Sequence, residues 1–133
     1  MHPKFKISKL INLQDARYSA AVGFHFISFS LARGDQKKLP PTLIWNIANW
    51  IEGPEVILEL NAQSWDELKE VTVEYRYLAL PLEDWEAGAK TQAEAFILTT
   101  SNPPSPESIQ SFLDENTDVE IKFELTFSDI TDA

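Results

Sequence analysis

The residues of this chain that could do chemistry are few, and most stand at the carboxyl ends of apolar runs. Ser8 closes "FKIS" and Lys9 follows it; Glu59 and Asn61 sit at the end of "EVILEL"; Thr99 lies near the end of "EAFILTT". A serine hydroxyl becomes a nucleophile only when a neighbouring base takes its proton. The histidines are His2 and His25, and His25 falls inside an apolar run. A small residue at a strand end is therefore the plainer reading of Ser8, and a packed or edge histidine that of His25. A charge within a strand is costly unless solvated or paired, so an exposed sheet face is the plainer reading of Glu59, and a pocket facing Lys9 is the functional one. "LEDWE" (82–86) resembles a paired-carboxylate site but reads more simply as a solvated turn, and Asp129 and Asp132 as tail charges. Zero cysteines remove disulfides, thiolate zinc sites and any cysteine nucleophile. No EF-hand loop, H-E-x-x-H, P-loop or G-x-G-x-x-G occurs, so no metal, nucleotide or other cofactor is expected.

Composition sets the surroundings of these residues. A chain of 133 residues, 44% hydrophobic, is expected to form one domain with a real core over residues 1–133. The net charge of −10 and a pI near 4.5 disfavour nucleic acid and anionic membranes as partners, because phosphates would be repelled. No apolar run approaches membrane-spanning length, and "MHPKFKISKL" lacks the apolar stretch of a signal peptide; a cytoplasmic protein is expected.

The elements that would position the candidates alternate between strand and helix. Residues 5–8 form a short strand, and Asn12 caps a helix that Gly23 ends. "FHFISFSL" (24–31) suits a strand covered on both faces. "ARGDQKKLPP" is a polar loop, and "TLIWNIANWI" puts Leu43, Ile44, Ile47, Trp50 and Ile51 on one helical stripe. Trp45 and Trp50 cannot share a narrow stripe, which leaves one of them for an interface unless both pack inside. The third strand is 55–60. Ser64 with Glu67 forms a capping box, and the fourth strand begins near Tyr75 or as early as Val71. "WEAGAKTQA" is a weak helix, 94–100 a buried strand, and Ser105-Pro106 opens a helix with Ile109, Phe112 and Leu113 on its stripe. From Val119 to Phe127 apolar and polar residues alternate strictly, a strand with one wet face whose Glu120, Lys122 and Glu124 serve as edge protection. Such β/α repetition predicts a parallel sheet with right-handed crossovers. The first strand is expected between those at 24–31 and 94–127, with Ser8 at the carboxyl end near Glu59 and Thr99. Residues 129–133 are expected to fray.

The opening "KISKLINLQDARYSAAVGFHFISFSLARGDQKKLPP" resembles the phosphoribosylanthranilate isomerases, (β/α)₈ barrels of tryptophan synthesis. Their first strand reads K-I-C-G; a helix of the type N-L-E-D-A-R, a strand reading G-F and a loop ending S-P-R-Y-V-S-P follow. Lys6, Ile7, Asp15, Ala16, Gly23, Phe29 and Pro41 fall in step without a gap, and "IANWIEGPEVILEL" continues the pattern to Leu60. The resemblance implies an α/β fold, an incomplete TIM-barrel-like β/α repeat of about six strands. A full barrel needs ~250 residues, ~200 at the low end.

The resemblance also implies an Amadori rearrangement, and here the sequence departs from the family. The family's base, the Cys of K-I-C-G, falls on Ser8; the following Gly falls on Lys9, whose bulk would crowd the mouth. The acid, an Asp of the type L-L-D-T, falls on Thr99, and the arginine facing the anthranilate carboxylate falls on Lys37. The glycines, at 23, 34, 53 and 88, leave none for the family's later phosphate loops. Ser8 and Thr99 thus mark catalytic positions expected to be inactive, while Lys37, Glu59 and Lys9 are candidates for holding a small-molecule ligand. The expected function is a non-catalytic binding or assembly module. The alternatives are an active isomerase completed by another chain, and an unrelated flavodoxin-like binding domain. A homodimer is expected, joined by sheet edges or by a face bearing Phe123, Leu125 and Phe127.

Overall fold

In the computed structural model, residues 3–89, 91, 93–102 and 104–125 are described. His2, Phe127, Asp129, Asp132 and the expected frayed tail lie outside them. The strands are β1 (Lys6–Ile7), β2 (Phe26–Ser30), β3 (Glu55–Glu59), β4 (Tyr77–Pro81), β5 (Ala95–Thr100) and β6 (Glu120–Leu125). Between them lie α1 (Leu13–Ala21), α2 (Pro41–Ala48), α3 (Trp65–Leu68), a 3₁₀ turn (Leu82–Asp84) running into α4 (Trp85–Gly88), and α5 (Pro106–Glu115).

All six strands are parallel, and their order in the sheet is their order in the chain. This corrects the expected place of the first strand: β1 ends the sheet and pairs with β2 alone among the described residues. It also removes the flavodoxin-like alternative. A doubly wound sheet reverses direction at a switch point, whereas here each crossover steps the same way.

The sheet curls into a half-barrel. In a flat sheet, five spacings of ~4.8 Å would hold β1 and β6 about 24 Å apart. Instead Lys6 Nζ of β1 reaches Glu124 Oε2 of β6 at 3.1 Å. The convex face carries the main core: Ile27, Phe29, Leu58, Leu78, Leu80, Phe96 and Leu98 pack beneath the helices with Ile44 and Ile47 of α2. The concave face carries a smaller cluster of Ile57, Tyr77, Ala79, Ala95 and Ile97. With both faces covered, residues 27–30 of β2 are buried throughout.

The wet side of β6 is the concave one. Glu120 accepts the Tyr77 hydroxyl and pairs with Arg76, whose guanidinium lies 4.8 Å from the Tyr77 ring centre, with Lys122 at 5.2 Å. These charges face the lumen rather than guard an outer edge. Ile121 and Phe123 pack toward the core, Phe123 meeting Phe112 of α5 at 6.0 Å between ring centres. Phe123 is therefore covered from within the chain, while Leu125 stays exposed.

The caps follow the sequence with one exception. Asn12 Oδ1 accepts the Asp15 N–H at 2.7 Å, and Ser105 Oγ that of Ser108 at 3.2 Å. Ser64 makes no cap bond, which corrects the expected capping box. Its buried hydroxyl donates to the Asn61 carbonyl at 3.0 Å and accepts the Asn61 N–H at 2.9 Å, so it is spent on a turn. The stripe of α2 is shorter than expected because the helix ends at Ala48; Trp50 lies beyond it, and Trp45 and Trp50 are both exposed.

Candidate functional site

The carboxyl ends of the strands converge on a cavity of ≈ 230 Å³, lined by Lys9, Ala32, Asp35, Glu59, Leu60, Asn61, Ala79, Leu80, Pro81 and Thr99. Its geometry begins at Lys9. After the two residues of β1, the backbone turns at Lys9 with φ of 58°, a left-handed conformation that favours glycine. The turn aims the Lys9 N–H at Ser28 Oγ, 2.8 Å away, and the Leu10 N–H at the Ser28 carbonyl, 2.9 Å away. Ser28 in turn donates its proton to Glu59 Oε2 of the neighbouring strand.

A second chain of contacts runs two residues further along β2. Ser30 donates to Asp35 Oδ2 at 2.9 Å and accepts the Ala32 N–H at 3.2 Å. Asp35 Oδ1 accepts the Lys37 N–H at 2.9 Å, and Oδ2 also takes the Lys9 ammonium at 3.0 Å. Burial draws the Asp35 carboxyl up, but the hydrogen bonds from Lys37, Lys9 and Ser30, with the Lys9 charge, hold it below its ordinary range. The hydrogen bond to Asp35 raises the Lys9 ammonium against desolvation, helped by the nearby charges of Glu59 and Asp35. Lys9 and Asp35 are thus held charged, as a pair.

The structure brings Lys9, Glu59 and Thr99 to one cavity and leaves Ser8 and Lys37 out of it. Ser8 is exposed, one residue beyond β1. Lys37 is exposed too, and its backbone N–H is what engages Asp35. Thr99 points a hydroxyl at the Leu80 carbonyl at the long distance of 3.4 Å. His25 precedes β2, at the opposite end of the sheet, where Nδ1 accepts the Phe5 N–H at 3.0 Å; it has no geometry for activating a mouth serine. Asp84 of "LEDWE" accepts the Ala62 N–H at 3.1 Å, a rim contact.

Sequence reasoning missed Asp35, Ser28 and Ser30. The two serines carried a signal: in "FISFS" they stand two apart, which puts both hydroxyls on one face of a strand. Among solved structures, the crystal structure of phosphoribosyl anthranilate isomerase from Thermus thermophilus matches with a TM-score of 0.58, over 92% of this chain and 76% of that one, at 17% identity. The likeness is one of fold. No model of a known protein family matches the sequence, and no curated protein does.

Proposed function

We propose that this chain is an isomerase-shaped protein without the isomerase reaction, a module that binds a small molecule at the mouth of its half-barrel and assembles as a homodimer. The observation that carries the reading is which side chains reach the cavity. The position matching the family's base is Ser8, exposed and outside it, and the position matching the acid is Thr99, a hydroxyl. A thiol with a pKa of ~8.5 yields thiolate in a suitable site, whereas an unassisted serine yields almost none. The mouth's own charges, Lys9, Asp35 and Glu59, stand at other positions.

Incubating phosphoribosylanthranilate with excess protein and following its fluorescence tests this. No conversion above the protein-free rate is expected, and Ser8→Cys with Thr99→Asp should stay inactive. Turnover that Ser8→Ala abolishes would sink the reading. It would favour instead an isomerase completed by another chain, for which the ends of β1 and β6, unpaired among the described residues, offer a place.

A further inference from the structure

The mouth carries one ammonium, Lys9, against two carboxylates, Asp35 and Glu59. Asp84 adds a third carboxylate close by, at the N–H of Ala62, next to the lining residue Asn61. Asp35 already neutralises Lys9 at 3.0 Å. Glu59 feels the Lys9 charge from nearby but makes its direct contact with a neutral partner, the Ser28 hydroxyl, and among the described residues no hydrogen bond reaches its other oxygen, Oε1. Ser28 is fully buried and also accepts the Lys9 N–H, so both of its hydrogen-bonding roles are used and the Glu59 carboxylate is held in place.

An anchored, half-buried carboxylate on a cavity wall suits a cation with N–H donors, since a charge-assisted hydrogen bond is about twice as strong as a neutral one. Asn61 and Thr99 add neutral polar groups beside it, the Leu80 carbonyl lies next to Thr99, and Ala79 and Pro81 form an apolar floor. The volume of ≈ 230 Å³ suits a small organic ligand. A phosphate placed here would face two carboxylates, and the cation within reach is already paired.

We propose that the mouth takes a small hydroxylated organic ammonium ligand, its nitrogen on Glu59, and rejects the phosphorylated equivalent. This rests on reading the mouth as a binding site. Three probes of matched carbon skeleton test it: 3-amino-1,2-propanediol, glycerol and glycerol 3-phosphate, each titrated into the ¹⁵N-labelled full chain. The amine is expected to move the amide resonances of Lys9, Asn61 and Thr99 with an affinity at least tenfold above that of glycerol, and glycerol 3-phosphate to leave them unmoved. Glu59→Gln keeps an acceptor for the Ser28 hydroxyl and should reduce the amine to the affinity of glycerol while the spectrum stays folded. Three results would overturn the inference: glycerol 3-phosphate binding there as tightly as the amine, an amine preference that survives Glu59→Gln, or no response to any probe up to its solubility. Phosphate binding without isomerase turnover would overturn this inference alone, whereas turnover would overturn the functional reading as well.

Discussion

Lys9 holds a backbone conformation that an L-residue enters at a cost of about 1–2 kcal/mol. The position falls on a glycine of the isomerase pattern that the chain's opening resembles, and glycine enters such a turn without that cost. Both Lys9→Gly and Lys9→Ala lose the half-exposed Asp35 contact, but only glycine relieves the backbone. Urea unfolding should find Lys9→Gly the more stable of the two by about 1 kcal/mol. Asp35 contributes to the response to acid, as does Glu120, whose carboxyl the Tyr77 hydroxyl and Arg76 hold below its ordinary range. A carboxyl held lower in the folded chain than in the unfolded one stabilises the fold above its unfolded pKa, and that contribution goes as pH falls through the folded value. Stability should therefore decline below about pH 4, and Asp35→Asn should flatten that decline. If the two curves stay parallel, the ionisation of Asp35 is not linked to folding. A pocket was one of two readings open for Glu59, because a strand charge needs water or a partner. Asp35 was not legible, because its partners are assembled by the Gly34 turn (φ of 93°) and by a neighbouring strand, which local spacing does not encode.

At the scale of elements, the caps of Asn12 and Ser105 were readable because each side chain reaches a backbone N–H three residues on. Asn12→Ala should cost about 1 kcal/mol in chemical denaturation, through the orphaned Asp15 N–H. Ser64 shows the limit of such reading: its sequence spacing fits a capping box, yet the Asn61 turn claims the hydroxyl first. Ser64→Ala should lower stability by about 1–3 kcal/mol, the cost of unsatisfied buried groups, and should shift the Asn61 amide resonance beside the mouth. The strict alternation of β6 disclosed two unlike faces, but alternation does not tell the inside of a curled sheet from its outside. Polar residues usually mark the solvent side, and here Glu120, Lys122 and Glu124 instead meet Lys6, Arg76 and Tyr77 across the lumen.

For the whole molecule, the parallel β/α order was legible from periodicity, whereas the barrel-like curl of the sheet was implied by the family resemblance and not by the spacing of any one strand. The proposed homodimer needs a probe that spares the core. Phe123→Asp would bury a charge beneath α5 against Phe112, and should cost about 3 kcal/mol or more whatever the oligomeric state. Leu125, 46% exposed, is the better test. Light scattering should give a dimeric mass for the parent chain and a monomeric one for Leu125→Asp with its unfolding midpoint nearly unchanged; a monomeric parent removes the proposal. The meeting of β1 and β6 has a consequence for how such a fold can grow. Neighbours elsewhere in the sheet are stitched by backbone ladders, but Lys6 and Glu124 join its ends through side chains. A seam of that kind can be parted without breaking a rung, so a grafted β/α unit could enter there at the expense of one ion pair, leaving every existing strand in register.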